Sequence, residues 1–202
     1  MRAGIAQYAL DVALCDLVQY CNDDADVAAT LEDMAWLLDR GASPNAMSRG
    51  RMTPLEYAIR AYDGLGLPLA TLLVERGASV GGGDLRYSIV ERNDDVSLLL
   101  LEHGASIEPQ EGWMEYPLFD AARHGRVRVF RRLLELGADP YHNGEDFLKY
   151  THNRWEKCTA ANRQAMVAMV AEWEQRRKEA AGFGLATRGM NRDLFSKIDG
   201  AI

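Results

Sequence analysis

Lysine is absent from the first 148 residues of this 202-residue chain and first occurs at Lys149. Residues 1–100 set eight arginines against fifteen Asp and Glu, whereas residues 101–202 hold fifteen of each sign, so the whole net charge of −7 lies in the first half. A chain without a basic excess is poorly made for neutralising phosphates, which argues against nucleic acid as a partner. No apolar run approaches the roughly 18 residues that a membrane span needs. The start, Met1-Arg2-Ala3-Gly4-Ile5, has no basic stretch leading into an apolar core and no glycine at position 2, so neither a secretory signal nor myristoylation is expected. Cysteine is scarce too: Cys15, Cys21 and Cys158 make an odd set without Cys-x-x-Cys spacing. Reduced thiols in a cytoplasmic setting are the expectation. Also missing are a phosphate-cradling glycine loop, a His-Glu-x-x-His helix and a nucleophile elbow, so no cofactor and no catalytic set is predicted.

What is present is ordinary globular material, 48% apolar and 26% charged, in a chain long enough to hide roughly 70% of its unfolded surface. The decisive feature is internal repetition. Leu37-Leu38-Asp39-Arg40-Gly41-Ala42-Ser43, Leu72-Leu73-Val74-Glu75-Arg76-Gly77-Ala78-Ser79, Leu100-Leu101-Glu102-His103-Gly104-Ala105-Ser106 and Leu133-Leu134-Glu135-Leu136-Gly137-Ala138-Asp139 share one form. A leucine pair ends a helix on its buried face, and the glycine past the end takes the left-handed cap conformation at no steric cost. Upstream lie shorter helices, best marked by Thr53-Pro54-Leu55-Glu56-Tyr57-Ala58 and Tyr116-Pro117-Leu118-Phe119-Asp120-Ala121. There a threonine can cap and a proline at the first turn forgoes an N–H that has no helical partner anyway.

These units resemble ankyrin repeats over about residues 35–140. The resemblance implies an all-α solenoid of stacked helix-turn-helix units with short β-hairpin fingers, and a non-catalytic module that binds a protein partner through its concave face. One domain is expected over 1–181: a degenerate capping repeat at about 5–41, repeats at about 45–77, 83–104 and 112–137, and a C-terminal cap at 145–180. Residues 182–202 form a tail, expected to fold back over the last repeat. The connections from Gly41 to Thr53 and from Gly104 to Tyr116 are long enough for a finger. Ala78-Ser79-Val80-Gly81-Gly82-Gly83 is six residues shorter, which predicts a plain turn there. The stretch Tyr62–Pro68 is expected to lengthen the loop between the two helices of its unit. At the ends, Ile5–Cys21 and Ala160–Arg177 are predicted helices, the latter with Met166, Val167, Met169, Val170 and Trp173 on or near one face.

Mapping the resemblance onto this chain gives the expected binding residues. Arg49 and Met52 fall on one finger, Trp113 and Glu115 on another, and Arg60, Glu91, Arg123 and His124 on the inner helices. Trp113 stands out because aromatic residues and arginine dominate interface hot spots. Exchanging it for Ala together with Arg123→Glu is expected to abolish binding at a nearly unchanged melting temperature. The five arginines from Arg123 to Arg132 do not make one anion patch, since helical geometry sends Arg128 and Arg131 to the opposite side from Arg123. The partner is expected to be a protein, such as a toxin or enzyme held by a small inhibitor, immunity or adaptor protein, with a monomer favoured. The arginine-rich, lysine-poor composition is compatible with a bacterial or phage source. Two alternatives stay open: a self-associating structural protein, and a hydrolase or metal-dependent enzyme on the C-terminal unit with His142, His152 and Cys158, near which Asp146 also lies in sequence, although no metal is predicted.

Overall fold

Thr53, Glu56 and Pro54 show how locally the helices are encoded. The Thr53 hydroxyl accepts the Glu56 backbone N–H at 3.2 Å, the Glu56 carboxylate accepts the Thr53 N–H at 2.6 Å, and Pro54 opens the helix. This reciprocal cap satisfies two donors that a helix start leaves orphaned. The computed structural model describes residues 2–21, 26–61, 64–108, 116–141, 147–148 and 158–182, which form helices and turns with no strand among them. The protein is all-α over these residues. By chain contacts it divides into two compact units, Met1–Gln110 and Glu111–Ile202.

The first unit holds α1 (Arg2–Gln19), α2 (Val27–Asp39), α3 (Pro54–Ile59), α4 (Gly66–Glu75), α5 (Gly82–Val90) and α6 (Asp94–Glu102). Each odd helix packs on the even one after it. The odd helices also pack in sequence, α1 on α3 and α3 on α5, and so do α2, α4 and α6. The result is two rows of helices sharing a core of Leu14, Met34, Leu55, Ile59, Leu69, Leu73, Leu85, Ile89, Val96 and Leu100. The second unit holds α7 (Pro117–Arg123), α8 (Val127–Glu135) and α9 (Ala160–Gly182), with α8 packed on both. Its core includes Leu118, Phe130, Leu133, Phe147 and Met166.

The four glycine stops have one geometry. Gly41, Gly77, Gly104 and Gly137 take φ of 94°, 89°, 83° and 95°. In each, the glycine N–H donates to the carbonyl three residues back, and the following alanine N–H donates to the carbonyl five back. Orphan carbonyls at the helix end are thereby satisfied, which is the Schellman arrangement. The first two of these turns are then tied by side chains to earlier parts of the chain, one to α1 and the next to the turn before it. Asp11 accepts the Ser43 N–H at 2.8 Å, and Gln7 donates to the Gly41 carbonyl at 2.6 Å. One step on, Asn45 accepts the Ser79 N–H at 2.7 Å and donates to the Gly77 carbonyl at 3.1 Å. These ties recur at separations of 32 and 34 residues.

Three local expectations need correction. The 41–53 connection closes as a tight turn, with Ser48 N–H donating to Met52 O at 2.9 Å and Arg51 N–H to Ser48 O at 2.9 Å. No strand forms there, because Ala46 is already folded back onto Ser43 and Asn45 is bound to the next turn, leaving too few residues for a ladder. Most of the 104–116 connection lies outside the described residues. Second, Gly66, Leu67 and Pro68 are the first turn of α4 rather than loop. Third, Met166 and Val170 are buried on α9 while Val167 is exposed, since positions 166, 170 and 173 already make the helical stripe. The short 78–83 connection is a plain turn ending where α5 starts at Gly82.

The ends of α5 and α7 use the same turn with different residues. After α7, Gly125 has φ 66°, its N–H donates to Ala122 O and the next N–H donates to Ala121 O. After α5 the corresponding residue is Arg92, at φ 67°, with donors to Ile89 O and Ser88 O. A side chain in this region costs about 1–2 kcal/mol, and glycine returns part of that through its freer unfolded chain. Arg92→Gly should therefore stabilise the protein by about 1 kcal/mol in urea titrations. A destabilisation would mean that the Arg92 side chain's own interactions outweigh its backbone strain.

Candidate functional site

The odd-numbered row of the first unit brings together several of the expected residues. Arg60 caps the C-terminus of α3 and is exposed. Its guanidinium lies 5.1 Å from the ring centre of Tyr87 on α5, and one of its Nη atoms is 3.8 Å from the Met52 sulfur. A cation over an aromatic face is held at about 0.5–1 kcal/mol at an exposed site, so Arg60 is pre-positioned rather than free-swinging. Glu91, exposed, caps the C-terminus of α5 one turn beyond Tyr87. Arg49 is exposed on the Ser48–Met52 turn, whose closure is reinforced by the Ser48 hydroxyl 2.9 Å from the Tyr57 phenol.

Tyr87 was missed in the sequence. Its signal was a shared pattern, Leu55-Glu56-Tyr57-Ala58-Ile59 and Leu85-Arg86-Tyr87-Ser88-Ile89, which puts a tyrosine at the same place on two helices of one row. The two tyrosines then diverge, Tyr57 bonding its own turn and Tyr87 receiving Arg60.

In the second unit, Arg123 is half-buried and pairs at 3.5 Å with Asp120, which is 1% exposed. His124 caps α7 and is buried, so it offers a partner little surface, contrary to expectation. Its place in the core follows from α7 itself, whose residues Pro117 to Ala122 are all buried. Trp113 and Glu115 lie outside the described residues. Arg128 and Arg131 are exposed on α8 while Val129 and Phe130 are buried, the division that helical geometry predicts.

Electrostatically, the starts of α3, α5 and α6 are acidic, with Glu56, Asp84, Asp94 and Asp95 in their first turns. Asp84 accepts the Gly81 N–H at 2.6 Å and is buried. Burial pushes its carboxyl up to about 6, aided by the nearby Glu56 charge and opposed by the Gly81 bond. The native state therefore holds a proton that the unfolded chain releases near 3.8, and stability falls as pH rises through that window. Titration near 6 instead of 3.8 is worth at most about 3 kcal/mol, and residual solvent access reduces this to about 1–2 kcal/mol. Asp84→Asn keeps an oxygen for the Gly81 N–H. Relative to the wild type it should gain about 1–2 kcal/mol between pH 4 and pH 7.5 in paired urea titrations, and an equal difference at both pH values would contradict this assignment.

Cys15 and Cys158 are free, buried thiols held above their ordinary range by burial. In Cys15 the neighbouring Asp11 and Asp16 add to the effect, so both are weak nucleophiles. Cys21 is also free and buried. The His103 ring is engaged with the Leu99 carbonyl at 2.9 Å. Among the described residues no group of three His, Cys, Asp or Glu side chains is placed to hold a metal; His142, Asp146 and His152 lie outside them. No described helix is long and apolar enough to cross a membrane. No known protein-family model matches the chain.

Proposed function

We propose that the chain is a non-catalytic protein-binding module of ankyrin-like repeats, acting as a small inhibitor, immunity or adaptor protein of bacterial or phage type. The repeat reading is supported by four glycine turns of one geometry and by side-chain ties spaced 32 and 34 residues apart. Stacked units of this kind offer an extended surface built from equivalent positions. The observation that carries the binding reading is the exposed Arg60, held against Met52 and Tyr87 with Glu91 beyond it. An arginine pre-ordered on an aromatic ring loses little entropy on docking and is the side-chain type most suited to an interface anchor. The opposite charges at the C-termini of α3 and α5 suit a polar target rather than a greasy groove.

The test is affinity capture from the native host with the wild type and with the charge-swapped variant Arg60→Glu, Glu91→Arg. The wild type should retain a stoichiometric protein that the variant loses, at an unchanged circular-dichroism melt. Retention of the same protein by the variant would place the interface elsewhere.

A further inference from the structure

The even-numbered row of the first unit carries a groove of its own. It runs between α2 and α4, has a volume of about 630 Å³, and is floored by Leu31, Ala35, Leu67 and Leu72. Glu32 from α2 and Glu75 from α4 complete its walls, and no Lys or Arg lines it. The two arginines at the nearby helix ends are directed elsewhere. Arg76 binds Asp39 at 2.7 Å, and Arg40 stacks on Trp36 with its guanidinium 3.7 Å from the ring centre. Among the described residues, neither Glu32 nor Glu75 has an ion pair, and both are exposed. Trp36, one helical turn from Glu32, is 51% exposed, and Leu67 is 38% exposed.

We propose that this groove docks a short amphipathic segment of a partner protein, with apolar residues on one face and Lys or Arg flanking them. The apolar floor rewards burial of such a face, as in helix-in-groove recognition. Both carboxylates line the groove, one from each helix, so basic side chains flanking that face would meet negative charge. An acidic segment would meet two like charges with no compensating cation, so the groove selects by sign as well as by hydrophobicity. Trp36, held by Arg40, is positioned to extend the contact past Glu32. The surface belongs to α2 and α4, so this inference goes beyond the odd-row reading and does not rest on it.

The probe is a fluorescein-labelled amphipathic Leu/Lys peptide of about four helical turns, followed by anisotropy on the full chain. Two further peptides carry Glu in place of Lys, or Ser in place of Leu. The Leu/Lys peptide should bind the wild type, and the other two should not. Glu32→Lys with Glu75→Lys should weaken binding about tenfold. Glu102→Lys with Glu172→Lys, an identical charge change at exposed sites elsewhere, should leave it unchanged, and Leu67→Ser should weaken it without any charge change. Equal weakening by the two charge reversals would reduce the effect to net charge and overturn the proposal, as would binding of the Ser peptide. Concentration-dependent self-association abolished by the groove variant would assign the groove to a second copy of the chain and overturn it equally.

Discussion

Gly66→Ala should destabilise the first unit by about 2 kcal/mol, although alanine is the better helix former. A Cβ at Gly66 would lie 2.6 Å from the Asn93 amide nitrogen and 2.8 Å from the Ala58 carbonyl oxygen. The amide can swing aside, but the carbonyl belongs to the backbone at the end of α3 and moves only with the helix. Overpacking of this kind costs about 1–3 kcal/mol. Displacing Asn93 also disturbs the cap it provides to the Val96 N–H at 3.2 Å, worth about 1 kcal/mol. Against these stands a helix-propensity gain of about 1 kcal/mol, reduced further at a first-turn position. Urea unfolding followed by circular dichroism measures the balance. A neutral or stabilising result would show that α4 does not approach α3 and the start of α6 this closely.

Arg123→Glu should cost more, about 3 kcal/mol. Asp120 is 1% exposed and lies 3.5 Å from the Arg123 guanidinium. The substitution replaces a positive charge beside a buried carboxylate with a like charge, which low solvent access screens poorly. Arg123→Gln, which retains donors in the same place, should cost less than half as much. Thermal melts of the three proteins test this ordering. It reverses the expectation that Arg123 can be charge-reversed at constant melting temperature, and it makes Arg123 a poor site for dissecting binding. An unchanged melt for Arg123→Glu would mean that the pair contributes nothing in solution.

The contrast between Arg60 and Arg123 shows where the sequence stops being informative. Both stand at the ends of short helices and both read as surface arginines. One ends against a tyrosine 27 residues further along the chain, and the other against a buried aspartate on its own helix. The glycine turns were legible because the signal is local: an apolar pair (Leu-Leu, or Leu73-Val74), two residues, then a glycine that takes positive φ. The Thr53 cap with Pro54 was legible for the same reason. Asn45 was not, because turn asparagines usually bond their own backbone, whereas this one reaches a turn 32–34 residues on. Arg92 hid a left-handed turn behind a residue that normally excludes it. Gly66 looked like loop because glycine near proline usually is; here the missing side chain is what lets a helix start against its neighbour. The acidic first half also reads differently once folded. Asp11, Asp26, Asp39 and Asp84 each engage a backbone donor or an arginine, while Glu32 and Glu75 remain for the groove.

Binding of a protein through the odd-numbered row, as proposed, is read out position by position by photo-crosslinking. A benzophenone amino acid placed singly at Arg60 and at Glu91, and for comparison at Glu102 on α6 and Val167 on α9, is irradiated in the native host. One adduct of the same added mass is expected from positions 60 and 91, and none from 102 or 167. Adducts of equal yield from all four positions, or from 102 and 167 alone, would contradict the proposal.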